Sequence, residues 1–212
     1  FLGWLLNAVK GYGLKAVNPG GVEAWKQGQG NIYSLDAEVP GFEVTPRAIL
    51  RELAATADAL AIPHPLHIHC NNLGLPGNWQ TTLETMQALE GHRGHLTHIQ
   101  FHSYGGSTDD QATFCSATRA LVEYVNEHPN LTIDVGQVSF APTVSMTGDG
   151  PLGYYLHKLL GGKWFSGDLE LDSGCGIVPV GYREKSFVHA VQWAVGLEWY
   201  LLATDPWRIA MS

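Results

Sequence analysis

Apolar and polar positions along the chain change period repeatedly, from helical spacing to strict alternation and back, with turn residues at each change. Residues 1–9 are largely apolar and read as the end of a helix. Gly11-Tyr-Gly-Leu-Lys-Ala-Val17 predicts a short strand closed by Asn18-Pro-Gly-Gly21, and a polar excursion rich in Gly, Gln and Asn runs to about Phe42. Thr45-Pro46 then sets an N-cap and a proline at the first helical position, after which Ile49, Leu50, Leu53, Ala57 and Leu60 recur at helical spacing.

Leu66-His-Ile-His-Cys70 predicts a second strand, ended by Asn71-Asn72 and the loop Gly74-Leu-Pro-Gly77. Thr81 or Thr82 is the expected cap of a helix carrying Leu83, Met86 and Leu89. Leu96-Thr-His-Ile-Gln-Phe-His102 predicts a third strand, ended by Ser103-Tyr-Gly-Gly106. A helix over 114–125 stops at His128-Pro129, and Leu131-Thr-Ile-Asp-Val-Gly-Gln-Val138 predicts a fourth strand. A Gly-rich insertion at about 141–181 follows, too long for an ordinary connection. A helix over 187–203 and a nascent strand over 208–211 finish the chain.

Strands that each lead into a helix imply a parallel sheet. A doubly wound sheet calls for a glycine-rich phosphate turn such as G-x-G-x-x-G, and the sequence has none. A (β/α)8 barrel calls for ionisable residues at the C-terminal ends of successive strands, which this chain has. The expected fold is therefore α/β, a partial (β/α)8 barrel over residues 1–212 with the Gly-rich insertion inside it.

Composition narrows the chemistry. The 212 residues are 45% hydrophobic, enough for a full core, and 12 Lys+Arg against 20 Asp+Glu give a net charge of −8. This balance, with no basic cluster, argues against nucleic acid and anionic membrane surfaces as partners. The longest apolar candidate, 187–203, is interrupted by His189, Gln192, Gly196 and Glu198, so no membrane span is expected. Cys70, Cys115 and Cys175 are too few and scattered for a disulfide framework, which suits a reducing cytoplasm. The chain stops at Ser212 directly after Trp-Arg-Ile-Ala-Met, which reads as a strand cut short and the whole as an internal fragment.

Seven of the ten histidines (His64, His67, His69, His92, His95, His98, His102) fall in one short stretch. On the predicted strands Lys15 sits late in the first, His67 and His69 share a face of the second, His98 and His102 share a face of the third, and Asp134 and Gln137 lie on the fourth. Imidazoles delivered from adjacent strands converge at a barrel mouth and suit a divalent metal. A histidine near a strand end is also commonly just hydrogen-bonded, so the pattern by itself leaves both readings open. A buried lysine loses its proton and, as the free amine, can add carbon dioxide to give a carbamate able to bridge two metals, a role that fits Lys15.

The motifs Gly13-Leu-Lys-Ala-Val-Asn-Pro-Gly-Gly21, His67-Ile-His-Cys-Asn-Asn-Leu-Gly74, Pro76-Gly-Asn78 and His95-Leu-Thr-His-Ile-Gln-Phe-His-Ser-Tyr-Gly-Gly106 carry a resemblance. Asp134-Val-Gly-Gln-Val138, Gly174-Cys-Gly-Ile-Val-Pro179, Ala190-Val-Gln-Trp-Ala-Val-Gly-Leu-Glu198 and Asp205-Pro-Trp-Arg208 extend it over essentially the whole chain. Together they resemble the A subunits of formylmethanofuran dehydrogenase and of the formyltransferase/hydrolase complex, within the amidohydrolase superfamily. The resemblance implies strands four to eight of a metal-dependent (β/α)8 barrel, with two zinc ions and a carboxylated Lys15 on its fourth strand. Set against that superfamily's pattern, His69 and His102 are the better ligand matches. His67, His98, Asn18, Asn71, Asn72 and Gln137 become candidates for holding the ligands or orienting substrate.

The resemblance also places a first-strand His-x-His pair upstream of Phe1 and the catalytic aspartate after Ser212, so this stretch alone is expected to be inactive. The implied activity is formyl hydrolysis or condensation at the amine of a methanofuran-type carrier, alongside B-, C- and D-type subunits. Residues 63–65 and 182–187 lean towards the formyltransferase/hydrolase branch. A stand-alone cyclic amidohydrolase of the dihydroorotase or hydantoinase type, or a scaffold subunit without metals, are the alternatives.

Overall fold

The computed structural model describes residues 1–26, 34–113, 115–135, 143–149, 169–170, 175–181 and 200–211. Their strands are β1 (Lys15–Val17), β2 (Leu66–His69), β3 (Gly94–Leu96), β4 (Tyr104–Gly105), β5 (Cys115–Ser116), β6 (Leu131–Val135), β7 (Thr143–Asp149), β8 (Leu169–Glu170), β9 (Cys175–Gly181) and β10 (Ile209–Met211). The helices with described bounds are α1 (Leu2–Val9), α2 (Gly21–Lys26), α3 (Pro46–Ala59), α4 (Asn78–Gln87) and α5 (Thr118–Glu127). Strands β1, β2, β3, β6 and β10 pair in that order, every pair parallel. Strands β4 and β5 form an antiparallel pair, and β7, β9 and β8 a separate antiparallel sheet.

Alternation along the strands divides the parallel sheet into two chemically different faces. Leu66 and Ile68 of β2, Leu96 of β3, and Leu131, Ile133 and Val135 of β6 are buried. They pack with Leu50 and Ala54 of α3, Met86 of α4, and Leu121 and Val125 of α5. The intervening positions form a polar row across four strands, because register pairs Lys15 with His67, His67 with His95, and His95 with Thr132. A one-residue slip would turn that row into the helix layer, so burial of the apolar set fixes which residues face the other way.

Local signals explain the helix that sequence places best. Thr45 accepts the Ala48 backbone N–H at 3.2 Å, and Pro46 opens α3 where its missing N–H costs nothing. Near its end Asp58 accepts from Arg93 Nε at 2.7 Å and pairs with His92 at 3.0 Å, which anchors the chain entering β3. Gly94 opens that strand because a Cβ there would run into the Leu89 side chain, in the core. Gly94→Ala is expected to cost about 1–3 kcal/mol through overpacking, read by urea unfolding. An unchanged midpoint would mean that Leu89 has room to move.

Several boundaries differ from the sequence reading. Helix α2 lies in the stretch read as an irregular polar excursion, and β1 is short, so Lys15 is its first residue rather than a late one. Helix α4 starts at Asn78 after Gly77, three residues before Thr81, because the Thr82 hydroxyl bonds the Asn78 and His102 carbonyls instead of capping the helix. The predicted start of α5 is occupied by the β4–β5 pair.

The expected strand from Leu96 to His102 is the main correction. Only Gly94–Leu96 is strand; His98 turns into the left-handed region at φ 37°, and Ile99–His102 is a 3-10 turn. The Asp134 carboxylate takes the His98 N–H, and Phe101 N–H donates to the His98 carbonyl at 3.0 Å, so the chain curls away from the ladder. The shared face assigned to His98 and His102 by strand alternation therefore does not exist. Residues 136–138 of the fourth predicted strand, Gln137 among them, lie outside the described residues, as do parts of the insertion and most of the 187–203 helix. Among the described residues no helix is long and apolar enough to cross a membrane.

Candidate metal centre

The polar face carries two groups of three side chains, each with its ligand-capable atoms within 4.8 Å of one another: His69, His98 and His102, and His67, His95 and Asp134. His69 is the last residue of β2, while His98 precedes and His102 ends the 3-10 turn that follows β3. The ring centre of His69 lies 4.6 Å from that of His98 and 5.3 Å from that of His102. The His98 and His102 rings are stacked at 5.3 Å. A turn, rather than two residues of one strand face, thus brings this pair together.

Histidine 102 is fully buried, and neither ring nitrogen makes a well-formed hydrogen bond, its contact with the Asn71 backbone being marginal. Burial first, and then the neighbouring His98 and His69, hold its pKa well below the ordinary imidazole value. A buried imidazole without partners is unfavourable unless something else uses its lone pair. His67 shows the same sign: burial, then Lys15 and His95, push it down to about 4, and its Nε2 is buried without a hydrogen-bond partner. Neutral imidazoles presenting unused nitrogens on one face fit a divalent cation.

His95 and Asp134 behave differently. His95 Nδ1 is 2.8 Å from Thr132 Oγ1 and its Nε2 is 2.9 Å from Asp134 Oδ2, so both ring nitrogens are already engaged. Burial opposes the Asp134 charge, but hydrogen bonds from His95, the His98 backbone and Thr97 outweigh it and hold the carboxyl below the usual carboxylate range. Sequence reading does not reach this arrangement, because it puts His95 before the predicted strand instead of within it.

Of the other candidates, Lys15 is exposed rather than buried as the carbamate reading expects, and it stands in register with His67. Asn18, Asn71 and Asn72 shape the turns after β1 and β2. Asn18, at φ 43°, donates its N–H to the His69 carbonyl at 3.0 Å, and Asn71 Nδ2 bonds the Pro19 carbonyl at 2.9 Å. Asn72, at φ 64°, offers its carbonyl to Asn78 Nδ2 at 2.9 Å and its own amide to Thr81. Asn78, not singled out from sequence, is fully buried and also bonds the Phe101 carbonyl and the Tyr104 N–H, both at 2.8 Å. Together with Thr82, whose hydroxyl reaches the His102 carbonyl at 2.8 Å, it holds both ends of the segment that carries His102. Cys70 is a buried thiol that burial pushes up to about 12, against a lowering bond from Thr85.

Comparison with known proteins bears on this site. A protein of Methanocaldococcus jannaschii named FwdA is 50% identical over 95% of the chain. The A component of the formyltransferase/hydrolase complex Fhc of Methylorubrum extorquens is 38% identical over 96%. The chain is homologous to both. It spans 37% of the length of each of these relatives. The crystal structure of the Methylorubrum extorquens FhcABCD complex with methylofuran matches all of the chain over 39% of its counterpart, with 35% identity and a TM-score of 0.79. No protein-family profile matches. Identity to FwdA exceeds identity to the Fhc protein, so overall similarity does not carry the lean towards the latter branch drawn from residues 63–65 and 182–187.

Proposed function

We propose that this chain forms strands four to eight of a (β/α)8 barrel of the metal-dependent amidohydrolase type, in the A component of a multisubunit complex that hydrolyses or forms a formyl amide at the amine of a methanofuran-type carrier. The observation that carries the reading is the fully buried, neutral His102, neither ring nitrogen of which makes a well-formed hydrogen bond, packed with His69 and His98. Homology to a protein whose complex was crystallised with methylofuran supports the carrier. Strand order that follows chain order without reversal supports a barrel arc over a doubly wound sheet, which reverses at its switch point.

The ligand set we propose is Lys15, His69 and His102, joined by His98 beside them and by His67 beside Lys15. Lys15, exposed among the described residues, would serve as its carbamate, formed when its free amine adds carbon dioxide and releases a proton. When bound, a pair of zinc ions supplies Lewis-acid polarisation and activates water at neutral pH. The chain's own residues keep the imidazoles neutral by burial and fix their directions. The Asn18, Asn71 and Asn72 turns hold the strand ends in place around them. Hydrolysis consumes one water and yields the free amine and formate.

The test uses the assembled complex with an N-formyl carrier, following formate release. Lys15→Ala is expected to abolish both zinc retention and formate release. Full activity and full zinc in that variant would remove Lys15 from the site.

A further inference from the structure

We propose that Asp134 is a positioning residue, whose carboxylate fixes the turn that carries His98 and His102 and thereby sets the spacing of the buried imidazole group. Its meaning for metal binding rests on the function proposed above, but the clamp itself is a matter of hydrogen bonds. One oxygen, Oδ1, accepts the His98 backbone N–H at 2.5 Å; the other, Oδ2, lies 2.9 Å from His95 Nε2. His95 is braced in turn by Thr132, which stands two residues before Asp134 on the same face of β6.

The backbone shows why a clamp is needed there. Thr97 N–H still donates to the Ile68 carbonyl at 3.0 Å, in continuation of the sheet, whereas one residue later His98 adopts φ 37°. A non-glycine residue in that region is held by its surroundings rather than by preference. A short acceptor side chain on the neighbouring strand reaches this one amide directly, and Asp134 is only 5% exposed to solvent. From that corner the 3-10 turn places His102 against His69. Asp134 therefore acts on the metal site through His98 and His95, without itself giving an oxygen to the metal.

Two substitutions separate reach from charge. Asp134→Asn keeps an acceptor for His98 N–H and an amide for His95, which can switch tautomer; Asp134→Glu keeps the charge but moves the oxygens outward by one methylene. Hydrogen exchange at the His98 amide in the metal-free protein and cobalt(II) binding followed by its visible spectrum are the readouts. Asn is expected to match the wild type in both, while Glu exchanges at least about tenfold faster and loses about 10–100-fold in cobalt affinity. Loss with Asn but not Glu would make the charge, or direct ligation, the role, and equal behaviour of the two variants would equally overturn the clamp. If wild type takes up no cobalt while the exchange contrast holds, the metal reading fails and the clamp stands.

Discussion

Replacing His102 with Leu is expected to abolish metal binding while leaving the metal-free protein at least as stable as wild type. The two halves of that result come from one observation, a fully buried imidazole with no well-formed hydrogen bond at either nitrogen. In the metal-free protein the polar atoms of His102 cost about 1–3 kcal/mol as unsatisfied groups. Removing that cost should raise the melting temperature of the metal-free protein by about 2–4 °C for each kcal/mol regained. With metal present the order reverses, since wild type gains stability from bound metal and the variant does not. Melting curves with and without zinc read both halves. A variant that melts lower without metal, yet still gains from zinc, would show that His102 is a packing residue.

The second large effect concerns the frame around the site. Asn78→Ala removes two donors from the Asn72 and Phe101 carbonyls and the acceptor of the Tyr104 N–H, all within one buried corner. A buried group left without its partner costs about 1–3 kcal/mol, so the three together should cost at least about 3 kcal/mol, a drop of at least roughly 6 °C in melting temperature. The exposed Asn7, whose amide bonds only the Gly3 carbonyl of its own helix, is the control, and Asn7→Ala should change stability by less than about 0.5 kcal/mol. Because the Asn78 corner holds both ends of the segment bearing His102, the variant should also bind metal more weakly. Equal stability of the two alanine variants would contradict this account of the corner.

How much of this is legible in the sequence depends on whether the signal is local. Thr45-Pro46 and the apolar spacing that follows mark α3 almost to the residue, since cap, proline and period all act within a few positions. The alternation of Leu66 to His69 marks β2 and puts His67 and His69 on one face. The third strand fails for a non-local reason: the residue that bends the chain at His98 is Asp134, on a neighbouring strand, and nothing within 96–102 announces it. His69 and His102 are nonetheless singled out by their motifs, and the structure places them together. Lys15, grouped with them by resemblance, stands in register with His67, a consequence of strand pairing that composition and spacing do not encode.

Asn78 escapes the sequence reading for a related reason. A buried polar residue at the start of a helix looks like any turn asparagine until the two loops it joins are known. Besides its place in the Pro76-Gly-Asn78 motif, the hint is the run Asn78, Thr81, Thr82 and Thr85, which places four polar side chains on the inward side of α4. Such a run is costly unless each member finds a partner, and three of them bond loop or helix carbonyls.

The central claim is that the imidazoles of the polar face hold metal. Elemental analysis of the purified wild-type complex, prepared without added metal and with the protein containing this chain quantified by amino-acid analysis, tests it directly. The account predicts about two zinc per copy of that protein, falling sharply in His102→Leu. A wild-type complex that carries formyl hydrolase activity with no zinc or other divalent metal on this protein would contradict it.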